Sequence, residues 1–337
     1  MIEKLIIPRD YCPTLDIRET EVAIKKLKDF FERNLSEKLN LTRVSAPLFV
    51  KSDTGLNDNL NGVEKPIGFQ IKNDNYSRAE IVHSLAKWKR MGLYRYGFKS
   101  NEGLYTDMNA IRTEEEFDNL HSIYVDQWDW EKVIKKEERT ESKLKDIVQD
   151  IYSVFKETED YISKIYPQFT KILPEDIYFI TTQELEDKYP KLSPKEREHA
   201  IAREKKAVFI MKIGDTLKSG IKHDGRSPDY DDWKLNGDII FYYPVLDMAF
   251  ELSSMGIRVD AEALKKQLEK SHCENRLKFD FHQMVIDEKL PFTVGGGIGQ
   301  SRICMFFLRK AHIGEVQSSI WPNEMIEKCA EHKIALL

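Results

Sequence analysis

Residues 17–39 set apolar side chains among charges at helical spacing. Val22, Leu27, Phe30, Phe31 and Leu35 fall on or near one face, which predicts a long amphipathic helix. The strand-like run LTRVSAPLFV follows, broken by Pro47. Proline has no N–H to give a ladder, so this strand is expected at an edge or facing a partner chain. Strands over 66–72 and 78–83 flank the turn formers Asn73, Asp74 and Asn75. A helix over 84–95 comes next, then a hairpin over roughly 108–130 and a long charged helix over 131–165. Pro167 and Pro174 punctuate a connector, and Ser193-Pro194-Lys195-Glu196 reads as a capping box opening another helix. The apolar run AVFIMKI at 207–213 predicts a buried strand. Strands near 237–243 and 246–259 precede helices within 260–290, and a last strand enters a glycine run and a helix at 291–308. Hairpins with helices between them favour an α+β fold, an antiparallel β-sheet flanked by helices, over a doubly wound sheet.

Composition narrows the class. A length of 337 residues allows about two domains or one large α+β unit. Hydrophobic residues at 41% support a sizeable core and argue against disorder. The net charge of −5 argues against broad non-specific nucleic-acid binding, while a local basic patch stays open. No apolar run approaches the ~18 residues of a membrane span, and the start MIEKLIIPRDYCP reads as ordinary mature sequence without a targeting region. Cys12, Cys273, Cys304 and Cys329 show neither a CxxC spacing nor a disulfide framework, and Cys304 lies in an apolar helical run as expected of inert core. These features fit a cytoplasmic protein.

Several stretches carry residues suited to chemistry. In 291–308, PFTVGGGIGQSRICMFFL, the glycines Gly295, Gly296, Gly297 and Gly299 admit a closely approaching ligand, and Arg302 opens the following helix. In AIRTEEEFDNLHSIYVDQWDWE, Arg112 ends one strand, an acidic loop holding Glu114 turns, and His121 begins the return. There Tyr124, Asp126 and Trp128 alternate with Val125, Gln127 and Asp129. Either Gln127 and Asp129 point inward toward a charged ligand, or the faces are reversed and they are wet. In FELSSMGIRVD, Glu251 is a Mg²⁺-ligand candidate, with Asp238 a weaker one, and Arg258 suits two-pronged capture of a carboxylate; the alternative is a cross-strand ion pair. Lys89, in HSLAKWKR, opposes the helix dipole unless an anion is near. Asp58 lies in the turn-rich loop DTGLNDNLNG, which it organises or uses to bind. Asp229, Asp231 and Asp232 form an acidic cluster that is a second metal or ammonium site or a solvated loop.

The helix and Pro47-bearing strand are similar to motif 1 of class II aminoacyl-tRNA synthetases, which builds their dimer interface. The Arg112–His121 hairpin is similar to motif 2, and the glycine run with Arg302 to motif 3. The ordered phrases TGLNDNLNG, HSLAKWKR, GLYTDMNAIR, YVDQWDWE, DYDDW, LNGD, FELSSMGIRVD and GGGIGQSR together resemble the ammonia-dependent asparagine synthetases, compact relatives of aspartyl-tRNA synthetase, from about Ile17 onward. Two departures stand out: Ser301 replaces the acid usual before the motif 3 arginine, and the segment 232–235 is short, which weakens the role of Asp231.

The resemblance implies one class II synthetase-like catalytic domain over 1–337, acting as a homodimer. Asp58, Lys89, Gln127, Asp129, Ser254 and Arg258 would line an L-aspartate pocket. Arg112 would hold the α-phosphate of ATP, Glu114 the adenine and His121 the terminal phosphate. Gly297, Glu251 and Arg302 would complete the ATP–Mg²⁺ site. Asp58, Arg112, Asp231, Asp238 and Arg302 are the residues expected to carry catalysis. The implied product is asparagine, made through a β-aspartyl-adenylate. Ile2 follows Met1, so an N-terminal cysteine for glutamine hydrolysis is not expected and free ammonia is the implied donor. The rival readings are a tRNA ligase, which would need an added anticodon-binding domain, and an aspartate-sensing paralogue, which would be expected to lose Arg112, Glu251 or Arg302.

Overall fold

A computed structural model describes residues 4–58 and 64–337. Met1, Ile2 and positions 59–62 of the turn-rich loop therefore lie outside the described residues. In chain order the elements are α1 (Ile17–Leu39), β1 (Leu41–Arg43), β2 (Phe49–Lys51), β3 (Gly68–Ile71), β4 (Ser77–Ile81), α2 (Ala86–Tyr96), β5 (Gly103–Ile111) and β6 (Tyr124–Val133). There follow α3 (Glu141–Ile165), β7 (Tyr178–Thr181), α4 (Thr182–Lys188), α5 (Pro194–Lys205) and β8 (Ala207–Met211). The last group is β9 (Asp231–Tyr243), β10 (Met248–Arg258), α6 (Ala261–Lys270), α7 (Asp280–Ile286), β11 (Thr293–Gly299), α8 (Gln300–Phe307) and α9 (Asn323–Glu331).

Eight strands form one sheet in the order β1-β5-β6-β11-β10-β9-β8-β7, and β2-β4-β3 form a small second sheet. Pairing is antiparallel from β5 through to β8. The two outermost pairs, β1 with β5 and β7 with β8, are parallel. The sheet is thus antiparallel at its centre, as expected, with parallel edges that local pattern did not reveal.

Local signals explain most element ends. Asp16 and Glu19 form a reciprocal capping box at α1, and Asn40 ends that helix in the left-handed conformation (φ 56°), turning the chain straight into β1. Ser193 and Glu196 cap α5 as anticipated, with Pro194 at its first position. The stripe Ala23, Leu27, Phe31, Leu35 and Leu39 buries α1. Val22 is not part of it and is 53% exposed, because it points away from the sheet. Pro47 sits between β1 and β2, not within a strand. The long helix starts ten residues later than expected: β6 runs on to Val133, and Thr140 supplies the cap of α3.

One face of the sheet carries the main core. Phe31 stacks on Trp128 of β6 at 5.1 Å, and Phe155 of α3 meets Phe241 of β9 at 5.1 Å. Burying each such ring contributes about 1.5–3 kcal/mol. The apolar face of α1 is thereby covered within the chain, by α3 and the sheet, instead of waiting for a second copy. On the other face α2, α6 and α7 close a second cluster around Trp88, Met108, Val259, Leu264 and Phe281, and α4 and α5 pack on β8. Between these groups the sheet is left open as a cleft. Among the described residues no helix is long and apolar enough to cross a membrane.

Candidate active site

The cleft has a volume of about 450 Å³, and its floor is the cleft-side face of β6, β11, β10 and β9. On β6 the alternation resolves as anticipated: Trp128 and Trp130 enter the core, while Gln127 and Asp129 face the cleft. Asp126 turns to the opposite side, where Lys28 and the Ser301 hydroxyl hold it at 3.1 and 2.8 Å. Ser301 therefore serves an acid on the neighbouring strand.

β11 must be glycine-rich for this floor to exist. Gly297 pairs with Asp129 across the ladder. A Cβ at Gly297 would collide with the Gln127 carboxamide and come within 2.8 Å of Asp129 Oδ1. On β10 a bulge between Glu251 and Ser253 adds one residue. An odd spacing would otherwise send side chains to opposite faces; the bulge brings Glu251, Ser254 and Arg258 to one wall.

The cations of HSLAKWKR are buried: Lys87 is 4%, Lys89 1% and Arg90 3% exposed. The anions that the helix start required come from distant elements. Lys89 Nζ lies 3.0 Å from Asp129 Oδ2 and donates to the Gly296 carbonyl at 2.9 Å. Burial lowers the Lys89 pKa, and the Asp129 charge opposes that shift. Lys87 meets Asp229 at 3.1 Å.

Arg258 is bound by two acids. It grips Glu131 in two-pronged fashion (Nε to Oε1 3.0 Å, Nη2 to Oε2 2.7 Å), and its Nη1 donates to Asp231. Burial opposes the Glu131 charge, yet the Arg258 guanidinium holds that carboxyl below its usual range. The ion-pair alternative therefore describes Arg258 as the structure holds it, although the residue stays on the cleft wall. The acidic cluster is not a solvated loop: all three acids are buried among cations. Asp229 binds Lys87, Arg276 and His282, Asp231 binds Arg258, and Asp232 binds Arg139 at 2.9 Å. Each acid has its own cation, so they do not converge.

Asp58 stands one layer behind the wall, where it accepts from the Ser227 hydroxyl at 3.1 Å. Burial raises its pKa to about 6, against the pull of Lys87. Arg112 is on the wall; its Nη2 donates to the His83 carbonyl at 3.2 Å, and its buried Nε has no partner among the described residues. A donor stranded in this way suits an incoming anion. Exposed Glu114 and half-buried His121 border the same end, and His121 is tied to Asp118 at 2.8 Å. Arg302 donates to the Glu251 carbonyl at 2.9 Å.

Glu251 and Asp238 share a wall. Burial raises the Asp238 pKa to about 6; the Arg226 charge opposes this and the Glu251 charge adds to it. Two adjacent carboxylates fit a hard divalent cation, but Arg226 already holds Asp238 at 2.7 Å, which leaves Glu251 the better donor. Among the described residues no group of three or more His, Cys, Asp or Glu side chains is arranged to hold a metal. Mg²⁺ that borrows phosphate oxygens needs only one or two carboxylates.

Sequence reading missed Arg226, Lys195, Tyr230, Glu131 and His83, all of which lie on or directly behind the wall. His83 opens HSLAKWKR, Glu131 closes YVDQWDWE and Tyr230 lies in DYDDW, so these three sit inside phrases already singled out, while Arg226 stands three residues before DYDDW. Lys195 was read only as part of a helix cap.

Comparison with known proteins agrees with this geometry. Residues 18–333 match the family model described as aspartate-ammonia ligase. An aspartate–ammonia ligase of Ruminiclostridium cellulolyticum is 68% identical over 336 residues, covering 100% of both chains. One from Clostridium tetani is 66% identical over 99% of this chain and 98% of its own. Among solved structures, asparaginyl-tRNA synthetase from Pyrococcus horikoshii, complexed with asparaginyl-adenylate, aligns with a TM-score of 0.64 at 14% identity, over 91% of this chain and 71% of that one. That likeness establishes a class II synthetase fold, and the chain belongs to the aspartate–ammonia ligase family.

Proposed function

We propose that this ligase makes L-asparagine from L-aspartate, ATP and ammonia in two steps within the one cleft, and that residues 1–337 act as a single catalytic domain. The observation that carries this reading is the polarity of the cleft: Arg112, whose buried Nε has no partner among the described residues, faces the same space as the Lys89–Asp129 pair and Gln127. A substrate with two carboxylates and one ammonium needs such alternating charges.

In the first step a β-carboxylate oxygen of aspartate attacks the α-phosphorus of ATP, and the bond to pyrophosphate breaks. Two anions approach each other there, and Arg112 is placed to offset their repulsion. Arg302 and His121 flank the remaining phosphates, and Glu114 the base. Glu251, with Asp238 beside it, would hold Mg²⁺, which when bound neutralises phosphate charge. Asp129 and, through Ser227, Asp58 face the α-ammonium. Lys89 and Arg258 supply positive potential for the carboxylates, while Gln127 and Ser254 orient the chain of the substrate. In the second step ammonia displaces AMP from the β-aspartyl-adenylate.

The exposed edge of β1, together with exposed Ile17 and Val22 of α1, supports a homodimer. The ligands are small molecules, and the site of action proposed is the cytoplasm. Purified protein incubated with ATP, Mg²⁺, aspartate and ammonium is expected to yield asparagine and AMP in equal amounts. With hydroxylamine in place of ammonium the β-hydroxamate is expected; recovery of the α-hydroxamate would overturn the orientation of aspartate.

A further inference from the structure

His83 joins β4 to α2 and lies on the cleft wall with its ring buried, only 1% of the residue being exposed. Neither ring nitrogen makes a hydrogen bond of good geometry among the described residues, although the Asp58 backbone lies close enough to favour the protonated ring. An imidazole buried with both nitrogens unmatched forfeits hydrogen bonds that water would have supplied. Such a group in a cleft is explained by a ligand that completes it.

The backbone that carries the ring is held firmly. The Asn57 side-chain oxygen accepts from the backbone N–H of His83 at 3.0 Å and from that of Asp58 at 2.9 Å, clamping the two segments together. The His83 carbonyl accepts from Arg112 Nη2 at 3.2 Å. An acyl carbon joined to the α-phosphate must lie near Arg112, so His83 belongs to the part of the cleft where the second step takes place. Three acids of this wall are committed to cations: Asp129 to Lys89, Asp231 to Arg258, and Asp238 to Arg226. His121 is tied to Asp118.

We propose that His83 is the base that accepts a proton from the attacking ammonia, a role that rests on the two-step reading above. The ammonia lone pair forms the C–N bond at the β-acyl carbon, and the nitrogen becomes positive. One N–H proton passes to a bare ring nitrogen of His83. The C–O bond to phosphate then breaks, its electron pair leaves with AMP, and the proton is released to solvent through the cleft. Burial and the Arg112 guanidinium lower the His83 pKa, opposed by the Asp58 carbonyl and by the charges of Glu64 and Glu80. The imidazole is therefore neutral near pH 7, as a proton acceptor must be.

The test uses the full-length enzyme and separates the two half-reactions. In His83→Gln, aspartate-dependent ATP–pyrophosphate exchange should stay within about threefold of wild type, which also shows that the variant is folded. Asparagine formation should fall by about a hundredfold, the usual contribution of a positioned base. In His83→Ala, added imidazole should restore part of the synthesis. Exchange falling in parallel with synthesis in both variants would place the ring in aspartate or ATP binding and overturn the proposal. So would full synthesis in either variant. Absence of exchange in the wild-type enzyme would instead sink the two-step reading itself.

Discussion

Asp58 shows how a single buried carboxyl sets both binding and pH response. Its pKa rises from the usual 3.8 to about 6, so between those values the folded chain holds a proton that the unfolded chain has released. Stability from this group is present below pH 3.8 and lost as pH rises to about 6, a change worth about 3 kcal/mol. Asp58→Asn removes the titration. Relative to wild type, the variant should be more favourable in urea melts at pH 7.5 than at pH 4, by up to about 3 kcal/mol. Its aspartate KM should rise at least about tenfold with ATP binding retained, since a charge facing the α-ammonium is gone. A pH-independent stability difference would show that Asp58 is ionised as readily as an exposed acid. The sequence marks Asp58 by its turn-rich loop, Lys89 by its opposition to the helix dipole and Asp129 by its place in the alternation of a strand. It did not reveal which cation serves which acid. Arg258 looked free to take a substrate carboxylate, and only packing showed it gripped by Glu131, which lies 127 positions away.

At the scale of elements, β11 does what no ordinary strand can. Gly295, Gly296 and Gly297 run between β6 and β10 and let side chains of both neighbours lie over them. A methyl group at Gly297 suits the strand backbone but takes the space of the Gln127 carboxamide. Gly297→Ala is thus expected to raise the aspartate KM by about tenfold or more, a loss of about 1.4 kcal/mol, with the melting temperature nearly unchanged. Aspartate titration of pyrophosphate exchange beside a thermal melt checks this. An unaltered KM would mean that Gln127 does not touch aspartate. Strand β10 teaches the same lesson through its bulge, which places Glu251 and Arg258 on one wall despite their odd spacing. Bulges arise from pairing with neighbours, so the alternation along one strand does not announce them.

For the whole molecule, the eight-stranded sheet leaves β1 as an edge, with Arg43 and Asp107 paired on its exposed side. Light scattering at working concentration should give twice the mass of the 39.5 kDa chain; a fully active monomer would refute the dimer. What the sequence determined by itself was local and periodic. The amphipathic stripe of α1, the capping box of α5, the buried run of β8 and the glycines of β11 follow from propensity, side-chain period and backbone freedom. Its ordered phrases also pointed to the family. Tertiary structure decided what depends on residues far apart meeting: the parallel pairing of β1 with β5 and of β7 with β8, the late start of α3 and the cover of α1 by α3. It also assigned Asp229, Asp231 and Asp232 to three separate sets of cations. The physical reason is that ion pairing and burial are properties of a site assembled in space. A carboxylate in the chain carries its charge, and only the fold supplies the partner that makes it tolerable in a dry interior.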